Sequence, residues 1–140
     1  MRKTLFTSLF VLLLGINCLI IAGQSKDNSA SGDKFVGTWT GTWTGGSSGK
    51  FDLTVTKDTT GKLSATVTST NEQGDGGTFR SKSVEVTGDK VKIKLEDTNG
   101  EVEVSLDATL EGKTLKGSYT VRSKADGSEA ETGTITASKK

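Results

Sequence analysis

Phe35-Val36-Gly37-Thr38-Trp39 is the stretch that decides the fold of this 140-residue chain. Its two aromatic residues are four positions apart, so an extended chain places both on one face. The chain has no proline, and beyond this stretch nearly every apolar residue belongs to a short run of period two. Gly, Asp, Asn or Thr residues bound these runs. Such a pattern is typical of strands joined by turns, and it predicts an all-β domain.

The β-patterned runs number eight, and short connections separate them. Short connections favour antiparallel neighbours, and pairing the last run with the first would leave no exposed sheet edge. We therefore expect an eight-stranded antiparallel up-and-down β-barrel over residues 35–140. The predicted strands are 34–44, 49–57, 61–70, 78–87, 90–97, 100–110, 113–123 and 129–138.

Three turns fit two-residue hairpins because each places apolar residues opposite apolar residues. These turns are Gly88-Asp89, Asn99-Gly100 and Gly112-Lys113. They predict, among others, the cross-strand pairs Val86 with Val91, Leu95 with Val104, Leu106 with Tyr119 and Leu110 with Leu115.

Two further connections require longer loops. A loop over residues 58–61 would align Leu53 with Ala65, and a loop or bulge near residues 126–127 would align Tyr119 with Ile135. Phe79 is out of phase with the apolar residues that follow it, which predicts a bulge near residues 81–83.

The first strand combines glycines with tryptophans on a single face, which we expect to be the inner one. Trp39 and Trp43 lie on this face, separated by Gly41. If strands seven and eight are neighbours of strand one, their glycines would make room for the indoles. We therefore predict structural roles for Trp39 and for four glycines: Gly37, Gly41, Gly117 and Gly133.

The N-terminus has the pattern of a secretory signal over residues 1–23. Arg2 and Lys3 precede a long apolar run, which ends before Ala22 and Gly23. The apolar run is short for a membrane span and has no basic flank after it, so we expect cleavage and no membrane span. Gly15-Ile16-Asn17 is a poor match to the box that precedes lipidated cysteines, so we do not expect a lipid anchor on Cys18.

Residues 24–34 are rich in Ser, Asp and Lys and lack apolar periodicity, which predicts a flexible leader. Removal of residues 1–23 takes away two of the 18 basic residues and none of the 17 acidic ones, leaving a net charge of −1. This charge does not favour a nucleic-acid partner. Cys18 is the single cysteine, so the exported part has no disulfide, and we expect a bacterial periplasmic or extracellular protein.

The exported part offers little for catalysis. It has neither histidine nor cysteine, which removes the usual nucleophile pairs and the commonest zinc ligands. The acidic residues Glu85, Glu101, Glu103 and Asp107 alternate with apolar ones and should face solvent. We expect no enzyme activity, no metal and no cofactor.

A barrel of eight strands either is filled by its own side chains or holds one small ligand. We predict binding of a small apolar or amphipathic molecule, with four aromatic residues as the candidate lining: Trp43, Phe51, Phe79 and Tyr119. Two alternatives stay open. One is an interaction or inhibitor module that acts on an exported protein partner through its loops or leader, and the other is a packed structural module without a ligand.

The chain resembles the calycin group of barrels at Gly37-Thr38-Trp39, the start of its first strand. Lipocalins, avidins and fatty-acid-binding proteins begin their first strand with Gly-x-Trp. The chain looks most similar to compact lipocalin-like domains of exported bacterial proteins, whose activity is not settled. The motifs of this resemblance are Trp39-Thr40-Gly41, Gly61-Lys62-Leu63, Val84-Glu85-Val86 and Leu115-Lys116-Gly117. This resemblance covers nearly all of the exported part and implies the fold of a small barrel.

Overall fold

The structure, a computed structural model, describes residues 32–140. The predictions of a secretory signal, of an unmodified Cys18 and of a flexible leader over residues 24–31 lie outside the described residues. Within residues 32–140, no helix is long and apolar enough to cross a membrane.

Eight antiparallel strands form a closed barrel in which each strand pairs with the next and β8 pairs with β1. The predicted fold class is confirmed. The first strand begins at Gly37, and the residues just before it form a single 3-10 turn over Asp33–Phe35. The strands are β1 Gly37–Thr44, β2 Ser48–Lys57, β3 Leu63–Asn71, β4 Gly76–Thr87, β5 Lys90–Asp97, β6 Val102–Glu111, β7 Thr114–Ser123 and β8 Glu129–Lys139.

The three short hairpins have the predicted register. Val86 pairs with Val91, Leu95 with Val104, Leu106 with Tyr119 and Leu110 with Leu115. A register shift between Ser81 and Ser83 confirms the predicted bulge in β4. These elements are local, so turn chemistry and the alternation of apolar residues are enough to specify them.

The register across the β2–β3 loop differs from the prediction by two residues, since Leu53 pairs with Val67 and not with Ala65. Asp58 is responsible, because its carboxylate accepts hydrogen bonds from the backbone N–H groups of Thr60 and Lys62. Its own backbone N–H bonds to the Lys62 carbonyl at 3.0 Å. These bonds hold residues 58–62 as the loop. A shift of two residues keeps each side chain on its face, so the predicted inner residues stay inside.

The β7–β8 hairpin also differs by two residues, because Tyr119 pairs with Gly133 and not with Ile135. A register shift between Val121 and Arg122 takes up one residue next to the loop. The loop is closed by the Ser123 N–H bond to the Ser128 carbonyl, 3.0 Å long. The predicted loop or bulge is present, but the pairing of β7 with β8 differs from the predicted one.

Gly41, Gly117 and Gly133 allow strands to approach each other, and no indole atom is among the atoms nearest to them. A Cβ added at Gly117 would lie 1.9 Å from the Asp107 carbonyl oxygen, and one at Gly133 would lie 2.2 Å from the Thr44 carbonyl oxygen. At Gly41 the distance to the Thr136 carbonyl oxygen would be 2.1 Å. The nearest atoms are main chain of the neighbouring strand, so the prediction about the indoles is wrong at Gly117 and Gly133. Glycine at such places permits the sharp coiling of a small barrel.

Gly37 has a different reason to be glycine. Its φ of 131° lies in a region that side-chain-bearing residues rarely adopt. Gly37 thus joins the 3-10 turn to the start of β1 with a backbone conformation that favours glycine.

One end of the barrel is closed by packed side chains. Phe35, from the 3-10 turn, and Trp39 are each 1% exposed, and the Trp39 Nε1–H donates a hydrogen bond of 2.9 Å to the Phe35 carbonyl oxygen. Leu53, Ile93 and Leu115 are also 1% exposed. Ion pairs of 2.7 Å between Lys57 and Asp33 and of 2.6 Å between Lys34 and Asp89 lie outside this core. Thus residues 32–34, predicted as the end of the leader, pack onto the barrel.

Candidate functional site

A cavity of about 210 Å³ occupies the half of the barrel opposite Phe35 and Trp39. Its walls come mainly from inward residues in the C-terminal parts of β1, β3, β5 and β7 and in the N-terminal parts of β2, β4, β6 and β8. Both sets meet at the end that carries the turns before β2, β4, β6 and β8. The cavity therefore lies beneath this end, which we call the open end.

Four aromatic side chains line the cavity, and they are the four that the sequence nominated: Trp43, Phe51, Phe79 and Tyr119. Trp43 and Tyr119 meet edge to face, with ring centroids 6.1 Å apart and planes at 82°. Phe51 and Tyr119 are buried, whereas Trp43 and Phe79 are half-buried. The structure thus brings the four together around one space.

Strand phase explains why these rings point inward. Trp43 is two inward positions beyond Trp39 on β1, and Phe51 is two residues before the buried Leu53 on β2. Phe79 reaches the same interior only because the bulge between Ser81 and Ser83 corrects the phase of β4. Without that extra residue, Phe79 and Val84 could not both face the interior.

The remaining wall is mainly aliphatic. Six branched side chains complete it: Val67, Leu95, Val104, Leu106, Val121 and Ile135. A wall of this composition favours an apolar occupant, since burial of apolar surface stabilises a complex by about 25 cal/mol per Å².

The polar part of the wall centres on Glu131. The Tyr119 hydroxyl donates a hydrogen bond of 2.5 Å to Glu131 Oε1. Ser47, in the turn between β1 and β2, donates to the same carboxylate from its backbone N–H at 3.3 Å and from its hydroxyl at 3.2 and 3.3 Å. Burial, and after it the bond to Glu131, raises the pKa of the Tyr119 phenol well above its usual value of 10. The phenol therefore remains a donor at any physiological pH.

Sequence reasoning missed Glu131 and Ser69, the other polar residue of the wall. A signal for Glu131 was present, because it lies in phase with Ile135 and Ala137, which face the barrel interior. An acidic residue at an inward position of a predicted strand indicates a functional site as strongly as an aromatic residue does, because burial of a charge is unfavourable.

The indole Nε1 of Trp43 is buried and has no hydrogen-bond partner within residues 32–140. A buried donor without a partner typically costs about 1–3 kcal/mol. The indole of Trp43 thus contrasts with that of Trp39, whose N–H is satisfied by Phe35. In the part of the chain that the structure describes, no group of three or more His, Cys, Asp or Glu residues is placed to hold a metal ion.

Comparisons with known proteins support the fold and leave the family open. No family model and no curated protein matches the sequence. Among solved structures, the fold of this chain is similar to the structure of EF1p2_mFAP2b bound to DFHBI, with a TM-score of 0.61 and 16% sequence identity. The match covers 80% of this chain and 98% of the other. At this identity the likeness concerns the fold alone: a closed eight-stranded antiparallel barrel.

Proposed function

We propose that this protein is an exported lipocalin-like barrel that binds one small apolar or amphipathic molecule in its open-end cavity. The observation that carries the proposal is the division of the interior. Phe35 and Trp39 fill one half, whereas the other half encloses about 210 Å³ between apolar walls. A module with only a packing role would have no need of this space, because protein interiors are normally close-packed.

The cavity volume limits the size of the ligand. An apolar cavity of about 150 Å³ is large enough to hold benzene. A space of about 210 Å³ therefore suits a molecule with one or two rings, or a short branched chain, better than a long fatty acid. The four aromatic side chains favour a flat ligand, because rings pack well edge to face and in offset stacks.

The structural neighbour is compatible with this proposal, since EF1p2_mFAP2b has a similar barrel and is bound to DFHBI. We propose binding without catalysis, because the wall of the cavity carries one carboxylate and no nucleophile pair. The export signal predicted for residues 1–23 supports a site of action outside the cytoplasm.

The experiment measures binding of 2-phenylethanol and indole by protein NMR, with the backbone amides of Trp43, Phe79 and Val104 as reporters. We expect saturable shifts at these amides and a higher melting temperature, because a ligand that binds only the folded state stabilises it. Two variants locate the site. Val104→Phe fills the cavity and should abolish the shifts, whereas Ser105→Phe, on the outer face of the same strand, should preserve them.

Unchanged cavity amides at millimolar ligand would overturn the proposal. Equal binding by the Val104→Phe and Ser105→Phe variants would also overturn it, because the ligand would then be bound elsewhere on the barrel.

A further inference from the structure

Glu131 is the one side chain with a formal charge on the cavity wall. None of the ion pairs among residues 32–140 includes it. The groups that donate to it, Tyr119 and Ser47, are neutral. A half-buried carboxylate beside an apolar space gains nothing from apolar packing, so its position needs an explanation other than packing.

The carboxylate also has acceptor capacity left. An ionised carboxylate offers about four lone-pair sites. Oε1 accepts from the Tyr119 hydroxyl and, at longer distance, from Ser47, whereas Oε2 accepts only from the Ser47 hydroxyl at 3.2 Å. The Tyr119 and Ser47 contacts hold the carboxylate in one orientation at the open end. Oε2 is therefore the atom best placed to accept from a ligand.

From this arrangement we infer that the ligand is a small aromatic or alkyl amine, whose ammonium group pairs with Glu131 at the open end while its apolar part fills the cavity. This inference rests on the proposed function and adds the charge class of the ligand. Hydrogen bonds between a cation and a carboxylate are about twice as strong as neutral ones.

The same geometry disfavours an anionic ligand. No Lys or Arg side chain lines the cavity, so the carboxylate of a fatty acid would face Glu131 without a compensating charge. Like charges brought together at low dielectric repel strongly. The bound ammonium group would lose only part of its hydration, because Glu131 is half-buried and lies next to the exposed turn residue Ser47.

The test compares three probes that share one ring system at pH 7: 2-phenylethylamine, 2-phenylethanol and phenylacetate. Dissociation constants come from NMR titration of the cavity amides. We expect the amine to bind about ten-fold more tightly than the alcohol, and the carboxylate to bind most weakly. Glu131→Gln should bring the amine to the affinity of the alcohol and leave the alcohol within about two-fold of its original value.

Glu129→Gln is the matched control, because it removes the same charge from the same strand at an exposed residue that pairs with Arg122. It should keep the preference for the amine. Tyr119→Phe provides a second variant, since it removes the phenol but keeps the charge of Glu131 and its contacts with Ser47, and it should also keep that preference.

Two results would overturn the inference while leaving the proposed function intact. One is equal affinity of the wild-type protein for amine and alcohol, and the other is a preference for the amine that survives Glu131→Gln. If none of the three probes shifts the cavity amides, the inference and the proposed function fail together.

Discussion

Trp39 and Trp43 occupy consecutive large-residue positions on the inner face of β1, yet they lie in opposite environments. Trp39 is 1% exposed, and its Nε1–H donates to the Phe35 carbonyl oxygen. Trp43 is half-buried on the cavity wall, with no partner for its Nε1 in residues 32–140. The indole of Trp39 therefore belongs to the packed closed end and the indole of Trp43 to the cavity, and Gly41 lies between them.

Replacement of each tryptophan by phenylalanine should separate these environments. Trp39→Phe removes packed atoms and leaves the Phe35 carbonyl without its donor, so we expect the free energy of unfolding to fall by about 2 kcal/mol or more. Trp43→Phe removes an unpartnered buried donor together with part of a half-buried ring, so we expect a change below about 1 kcal/mol. Urea unfolding followed by circular dichroism measures both. Equal losses in the two variants would contradict the division of the interior.

The closed end should depend on apolar burial more than on its ion pairs. Phe35→Ala removes a 1% exposed ring and should lower the free energy of unfolding by about 3–5 kcal/mol. Lys34→Gln breaks the pair with Asp89, whose side chain is 69% exposed, and should cost less than about 1 kcal/mol. Thermal and urea unfolding of both variants check this order. A larger effect from Lys34→Gln would mean that charge, and not packing, holds the end closed.

The inner-face glycines should resist even a methyl group where a neighbouring strand lies close. Gly117→Ala places a Cβ 1.9 Å from the Asp107 carbonyl oxygen, so strands β6 and β7 must move apart. We expect a loss of about 1–3 kcal/mol in the free energy of unfolding. Gly77→Ala is the matched control, because its Cβ would meet Phe79 at an ordinary 3.5 Å. It should be neutral or slightly stabilising by the loss of unfolded-state entropy. Equal changes in the free energy of unfolding of the two variants would argue that close approach of β6 and β7 is not the reason for glycine at position 117.

The phenol of Tyr119 should ionise at a higher pH than a free tyrosine, so the free energy of unfolding should depend on pH in the alkaline range. It is the one tyrosine of the chain, so the phenolate absorbance near 295 nm reports on it alone. Burial and Glu131 raise its pKa, so the folded protein should show no phenolate at pH 11. Below pH 10 both folded and unfolded chains keep the proton, and the stabilisation is complete. Above pH 10 only the unfolded chain releases it, so this contribution falls by about 1.4 kcal/mol per pH unit until the folded pKa is reached.

Tyr119→Phe provides the control for this pH dependence, because lysines titrate in the same range. The variant should lose the part of the high-pH destabilisation that belongs to the phenol. A wild-type absorbance that rises around pH 10 before any unfolding would show that the phenol is not held by Glu131 as the structure has it.

Local chemistry accounts for what could be predicted of the fold. The turns at residues 88–89, 99–100 and 112–113 each join strands whose apolar residues can match in only one way, and all three registers were predicted correctly. The register across the loop that begins at Asp58 was not, because the loop length depends on how one carboxylate binds two backbone N–H groups. A period-two pattern cannot distinguish registers that differ by two residues.

The candidate site was predicted only in its apolar part. Trp43, Phe51, Phe79 and Tyr119 are conspicuous because aromatic residues are rare in this chain and lie in or near inward phase. Glu131 was overlooked because acidic residues on strands usually face solvent. The partners that distinguish it, Tyr119 and Ser47, are 12 and 84 residues away along the chain.

By itself, the sequence determined that this chain forms a closed antiparallel barrel of eight strands with both tryptophans on one face, because alternation and turn residues act over short distances. Only the tertiary structure decided that one half of the interior is packed and the other is a cavity, that the glycines let strands approach each other, and that Glu131 lies on the cavity wall. Those properties depend on which side chains meet across a closed ring of strands, and the spacing of residues along the chain does not encode the space left between them.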